Sequence, residues 1–262
     1  MFIIEVPYIN LDQIYNSGQV PRWIKLKESH YIIPHKDKAL KIEQQRNRFD
    51  WTKYRLVMNC SEEDFYNIWF NYFDLRVDYF YLNTKIKRIG KKFRRIAKRS
   101  DGIRVLNQDP FEVYIFSKLI ENVGWEKAKE LMNRIAMTYG IQHTQSMREA
   151  GRITWYEWPT PEIMLEKLNQ EKRSSGKVKP FLRKLCNAII NEGFNILKSD
   201  NKLFRLLGMH ENVFPTVEVE DTIMKNFKCT PEEFVNWYLD DVEALTYMYI
   251  LYHIKNPPKE AE

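Results

Sequence analysis

The 262 residues weigh 31.7 kDa, which leaves room for one large domain or two small ones packed together. Apolar residues make up 44% and charged residues 29%, a globular composition, and the longest apolar runs fall well short of the ~18 residues a membrane-spanning helix needs. Three cysteines, Cys60, Cys186 and Cys229, have no CxxC spacing, which excludes a disulfide framework, a zinc ribbon and an iron–sulfur cluster.

The opening MFIIEVPYINLDQ carries no basic n-region and no small-residue cleavage site, so a reduced cytoplasmic protein is expected, nucleoid-associated in a prokaryote. The formal net charge of +6 is unevenly spread. From Lys85 to Arg104 there are ten basic residues and one acid, Asp101, and from Lys167 to Lys184 seven basic residues and one acid. Two basic fields on an otherwise slightly acidic chain point to a polyanion partner; the plainer alternative is a pair of solvated helix faces.

Residues 1–60 read as short strands: FIIEV, VPRWIKL, HYIIPH, KALKIEQQ and KYRLVMN, separated by turn residues such as Asn16 to Gly18. They predict a small antiparallel sheet. After Cys60 helix starts become frequent. Ser61 precedes Asp64 by three, and Asp109-Pro110 with Glu112 sets an N-cap, a proline at the first helical position and an acid at the third; Thr160-Pro161 and Thr230-Pro231 repeat it. In the first basic field Ile86, Ile89, Phe93, Ile96 and Ala97 fall at helical spacing, so that helix buries one stripe and turns Lys91, Lys92, Arg94 and Arg95 outward. The expected architecture is α+β: a β-rich subdomain over residues 1–60, roughly eight helices over 61–255, and a frayed tail at 256–262.

Gly102 to Gly140, GIRVLNQDPFEVYIFSKLIENVGWEKAKELMNRIAMTYG, aligns without a gap with the helix pair of the 8-oxoguanine DNA glycosylases of the helix-hairpin-helix superfamily. LDQIYNSGQVPRW (Leu11 to Trp23), YFDLRVDY (Tyr72 to Tyr79), ITWYEWPTPEIM (Ile153 to Met164) and DDVEALTYMYILYHIK (Asp240 to Lys255) resemble that family in the same order. Each segment alone is weak; five in order cover nearly the whole chain. The resemblance implies a β subdomain followed by a helical glycosylase domain with a degenerate hairpin near residues 186–205. The cysteine count excludes the iron–sulfur members of the superfamily.

The same resemblance implies an enzyme that flips a base from duplex DNA and excises it. That task needs something to fill the gap, cations and amides on the phosphates, and a pocket for the base. Asn122 stands where the family fills the vacated space, and Lys127 where it keeps an arginine that reads the estranged partner. Trp155 stands at the wedge tyrosine, with the alternative that Trp155 and Trp158 are interhelical core. Gly18 matches the glycine whose carbonyl meets the flipped base, although a glycine in an NSGQ turn needs no ligand to explain it. Gly193 and Asn195 belong to the hairpin, where NEGFNILK has one glycine instead of two.

The family's chemistry uses a lysine nucleophile and a carboxylate. Counting back from Phe214-Pro215 puts Lys198 at the lysine position; counting forward from the hairpin puts Leu197 there, and Lys202 is a reserve. Glu218 takes the place of the aspartate, followed by Glu220 and Asp221, a cluster that repels phosphate. Tyr247 replaces the base-reading glutamine and Leu251 the stacking phenylalanine, so the pocket does not read 8-oxoguanine in the family's way. The five histidines show no metal-ligand spacing, and no metal or cofactor is expected. The expectation is a monomeric glycosylase, possessing or lacking lyase activity, that acts on double-stranded DNA with a modified base other than 8-oxoguanine. A DNA-binding protein that keeps the fold without the chemistry is the alternative, and a module binding RNA or an acidic protein patch is a weaker third.

Overall fold

In a computed structural model of the chain, which describes residues 1–46, 53–171, 178–193, 221, 224–225 and 243–257, the five expected strands are present as β1 (Phe2–Pro7), β2 (Ile24–Lys27), β3 (His30–His35), β4 (Lys38–Arg46) and β5 (Lys53–Met58). They form one antiparallel sheet in the order β1-β5-β4-β3-β2. The continuous apolar run of β3 has a simple cause. Tyr31 and Ile33 face a core shared with Leu11, Ile14, Phe65, Trp69 and Phe73, while Ile32 faces the opposite side and packs with Met147 and Trp155. A strand buried on both faces loses its polar alternation.

Between β1 and β2 the chain makes a helix, α1 (Leu11–Ser17), where the sequence suggests only a turn. The Asn10 side chain accepts from the Gln13 amide at its start, and Gly18 ends it in the left-handed region at φ 86°. The Asn16-Ser17-Gly18 signal is thus a helix stop. After β5 come α2 (Glu62–Asp64), a π-helical turn (Phe65–Trp69) and α3 (Phe70–Tyr72), then a hairpin of α4 (Tyr79–Ile89) and α5 (Lys91–Ser100) about Gly90. Tyr79, Ile86, Phe93 and Ala97 of this pair pack with Leu245, Met248 and Tyr249 of α10 (Glu243–Lys255).

A second helical core joins α6 (Pro110–Val123), α7 (Trp125–Tyr139), α8 (Pro161–Gln170) and α9 (Val178–Glu192) through Phe111, Leu119, Met132, Met164, Leu168 and Leu185. The helix starts at Asp109-Pro110 and Thr160-Pro161 are as expected, each cap side chain accepting the amide three residues on, of Glu112 and Ile163. Between α7 and α8 a β-hairpin, β6 (Gln142–Met147) and β7 (Gly151–Tyr156), lies against the outer face of the N-terminal sheet. The two parts of the chain are bolted together by Arg104, whose guanidinium donates to the carbonyls of Tyr8, Pro7 and Asp74 at 3.0–3.1 Å and lies over the Tyr79 ring. No helix among the described residues is long and apolar enough to cross a membrane.

Candidate nucleic-acid interface

Helix α6 ends at Gly124, whose amide donates to the Ile120 carbonyl at 2.9 Å and whose φ of 74° suits glycine. Helix α7 starts at the next residue, so the chain reverses within one residue. Asn122 and Lys127 are exposed on either side of this turn. The Asn122 amide nitrogen folds back to donate to the Lys118 carbonyl at 2.7 Å. Both residues are thus exposed at the same end of the helix pair, with the Asn122 amide held against its own helix.

Gly18 lies beside this turn. A Cβ built on Gly18 would fall inside the indole of Trp125, the first residue of α7, so any side chain there would displace the ring. The indole meets Phe116 edge-on with ring centres 5.2 Å apart, and the Lys255 ammonium stands 3.0 Å from its centre. Gln19 fixes the position of Gly18. Its side chain donates to the Arg104 carbonyl at 2.8 Å and accepts from the Leu106 amide at 3.0 Å, while its carbonyl accepts from Gln108 at 2.8 Å.

Helix α10 closes the same corner, where Asn256 donates to the Asn16 carbonyl at 3.3 Å. Tyr247, Leu251 and Lys255 are spaced four apart and share one face of α10, and Lys255 of that set reaches Trp125. The side chains of Tyr247 and Leu251 lie outside the described residues. The sequence reading placed Gly18, Tyr247 and Leu251 in one pocket; the residues seen to meet Gly18 and its neighbours here are Trp125, Lys255 and Asn256, and that reading missed Trp125 and Lys255. The available signals were an aromatic directly after a helix-ending glycine and the four-residue spacing from Tyr247.

Helix α5 carries the first basic field. Phe93, Ala97 and Ser100 point inward, while Lys91, Lys92, Arg94, Arg95 and Lys98 are exposed. Arg99 turns to the end of α10 and donates to the Asn256 carbonyl at 3.0 Å, with a second nitrogen 3.1 Å from His253 Nδ1; burial and then the Arg99 charge hold His253 below its usual pKa. The end of α5 is tied to α1, since Gly102 accepts from the Asn10 amide at 2.7 Å and donates to the Gln13 side chain at 2.9 Å. The C-terminal end of α5 thus meets the start of α1 and the end of α10.

The second basic field is a different matter. Lys167 donates to the carbonyls of Tyr139 and Gly140, Arg183 donates to the Leu168 carbonyl, and Lys179 pairs with Glu171. Three of its described cations are occupied in capping helices and pairing. Trp155 also needs correcting. It is 5% exposed, stacks on His143 at 5.5 Å and donates to the Lys36 carbonyl at 3.3 Å in the seam between the hairpin and the sheet. A wedge needs a projecting ring, so Trp155 is core, as is Trp158 beside Phe111.

Gly193 ends α9 at φ 75°, exposed, with open space where a Cβ would stand, which suits the opening of a hairpin turn. Asn195, Leu197, Lys198, Lys202, Glu218 and Glu220 lie outside the described residues. Among the described residues no three His, Cys, Asp or Glu side chains group so as to hold a metal ion.

Residues 1–114 match the family described as 8-oxoguanine DNA glycosylase, N-terminal domain. The chain is similar in structure to a number of solved proteins, three of which follow. MBOgg1 in complex with a low-affinity DNA ligand shares 19% identity at a TM-score of 0.72, covering 96% of this chain and 94% of that one. The Clostridium acetobutylicum 8-oxoguanine glycosylase/lyase, in complex with double-stranded DNA containing cytosine opposite 8-oxoguanine, shares 19% at 0.69, covering 97% and 98%. The 3-methyladenine DNA glycosylase from Archaeoglobus fulgidus shares 14% at 0.68, covering 99% and 100%. None of the curated proteins matches in sequence.

Proposed function

We propose, for a chain whose first 114 residues match the N-terminal domain of the 8-oxoguanine DNA glycosylases and whose fold is similar to that of solved DNA glycosylases, that it flips and excises a modified base other than 8-oxoguanine from double-stranded DNA. The observation that carries this reading is the α6–α7 turn, which leaves Asn122 and Lys127 exposed next to Trp125, the residue that meets Gly18. An amide small enough to enter a base-pair vacancy and a cation able to reach the partner strand are what base eversion requires there. The exposed cations of α5 give the corner a positive approach for the phosphates. The departure from 8-oxoguanine rests on Tyr247 and Leu251, which stand on α10 where the family reads and stacks that base.

Lys198 is the proposed nucleophile and Glu218 its electrostatic partner. The neutral amine of Lys198 would form a C–N bond at the sugar C1′ as the glycosidic bond breaks, its proton passing by way of Glu218 to the departing base. Borohydride trapping on duplex DNA with an abasic site tests this: a covalent adduct is expected, and Lys198→Gln should abolish it. Single-turnover release from duplexes bearing different modified bases tests the substrate, with 8-oxoguanine opposite cytosine expected to be poor. Robust release of that base would show that the pocket residues are misassigned. If no duplex yields a released base or an adduct, the second reading stands, a DNA-binding protein without the chemistry. The single hairpin glycine, Glu218 in place of the aspartate and Tyr247 favour it.

A further inference from the structure

We propose that Trp125 is the ring on which an everted base stacks, and that the Lys255 ammonium is its displaceable cover in the DNA-free protein; the inference rests on the glycosylase reading and names a surface of the same site. An atom 3.0 Å from the centre of an indole lies over its face, because one beside the ring would stand farther off. One face of Trp125 is therefore taken by a cation. The ring is held otherwise by Gly18, which has no Cβ to exclude it, and by the edge of Phe116. These contacts fix the plane of the indole, whereas the ammonium sits at the tip of a long chain on the last residue of α10.

Trp125 also stands at the root of the turn, three residues after Asn122 and two before Lys127. A base pushed out of the helix at Asn122 meets this ring next. Energetics favour the exchange. An ammonium on a partly exposed ring shifts an equilibrium by about two- to fivefold, and a base stacked on an aromatic side chain by about five- to 150-fold. Every base has a π-face, so Trp125 supplies affinity for the everted state, and selection among bases falls to the face of α10 that carries Tyr247 and Leu251.

A duplex with 2-aminopurine in a mismatch reports the step without any chemistry, because its fluorescence changes when the base leaves the stack. At protein concentrations that saturate binding, Trp125→Leu should lower the everted population about tenfold, and Trp125→Phe should keep most of it. Lys255→Ala should raise it about threefold by uncovering the ring. An everted population unchanged by both Trp125→Leu and Lys255→Ala in a protein that binds and everts normally would overturn the inference and leave the glycosylase reading standing. A wild-type protein that binds no duplex, or binds without eversion, would overturn both.

Discussion

The guanidinium of Arg22 grips both oxygens of Glu112, Nε to Oε1 at 2.5 Å and Nη2 to Oε2 at 2.9 Å, with side chains only 7% and 12% exposed. Its third arm donates to the Tyr156 carbonyl at 2.7 Å. One residue just ahead of β2 is thereby tied to the first turn of α6 and to β7, which joins the sheet subdomain to the helices. Breaking one side of such a pair leaves a buried charge without its counterion.

Arg22→Ala should therefore cost about 3–5 kcal/mol of stability, far more than an exposed ion pair. The double variant Arg22→Met with Glu112→Leu should cost much less than the sum of the single changes, because no charge is left stranded. Urea unfolding of the three variants decides it; simple additivity would show that the pair is not coupled.

Asn83 of α4 is 1% exposed, and among the described residues neither its nitrogen nor its oxygen has a hydrogen-bond partner. Burying an amide in this way is costly, of order 1–3 kcal/mol. Asn83→Leu, close in volume, should raise the unfolding midpoint in urea without changing the slope. A loss of stability would mean that a bound water satisfies the amide.

The strands were legible because their patterns are local. FIIEV and KYRLVM show themselves through β-branched and aromatic residues bounded by turns, and HYIIPH through its unbroken apolar run. The caps at Asp109 and Thr160 were legible because each is carried by four consecutive residues at most. Helix α1 was not, since seven residues give too few periods to stand out and its two caps resemble ordinary turn residues. The Trp125 corner was hidden for another reason. It depends on Gly18, Trp125 and Lys255 meeting across three elements, and no window along the chain contains them. Trp155 was misread because a wedge and a core tryptophan look alike in sequence and differ only in what covers the ring.

The half-buried ring of His35 meets Trp69 and Tyr72 edge-on. Burial pushes its pKa down to about 4, with Glu112 acting the other way and Lys36 assisting burial. In the unfolded chain it titrates near ~6.5, so between these values the unfolded state binds the extra proton. The contribution to stability is full above the higher value and is lost as pH falls from about 6.5 to 4, at most about 3 kcal/mol. Unfolding free energies at pH 7 and pH 4.5 should differ by less in His35→Phe than in the wild type. An identical pH dependence in the two proteins would remove His35 as the source.

The two basic fields should respond differently to mutation, and that difference tests the α5 surface. Lys91, Lys92, Arg94 and Arg95 lie on the exposed face of α5, opposite the stripe that packs on α10. If they meet phosphates, duplex affinity falls steeply with salt, and each contact removed flattens the log–log slope by about 0.9. Reversing all four to Glu should weaken binding most at low salt while leaving the urea midpoint nearly unchanged. Lys167 and Arg183 donate to helix-end carbonyls instead, so replacing them with Met should lower stability and leave the salt slope alone. A quadruple α5 variant that keeps the wild-type slope would take the DNA backbone off this helix, and the field would then be no more than a solvated face.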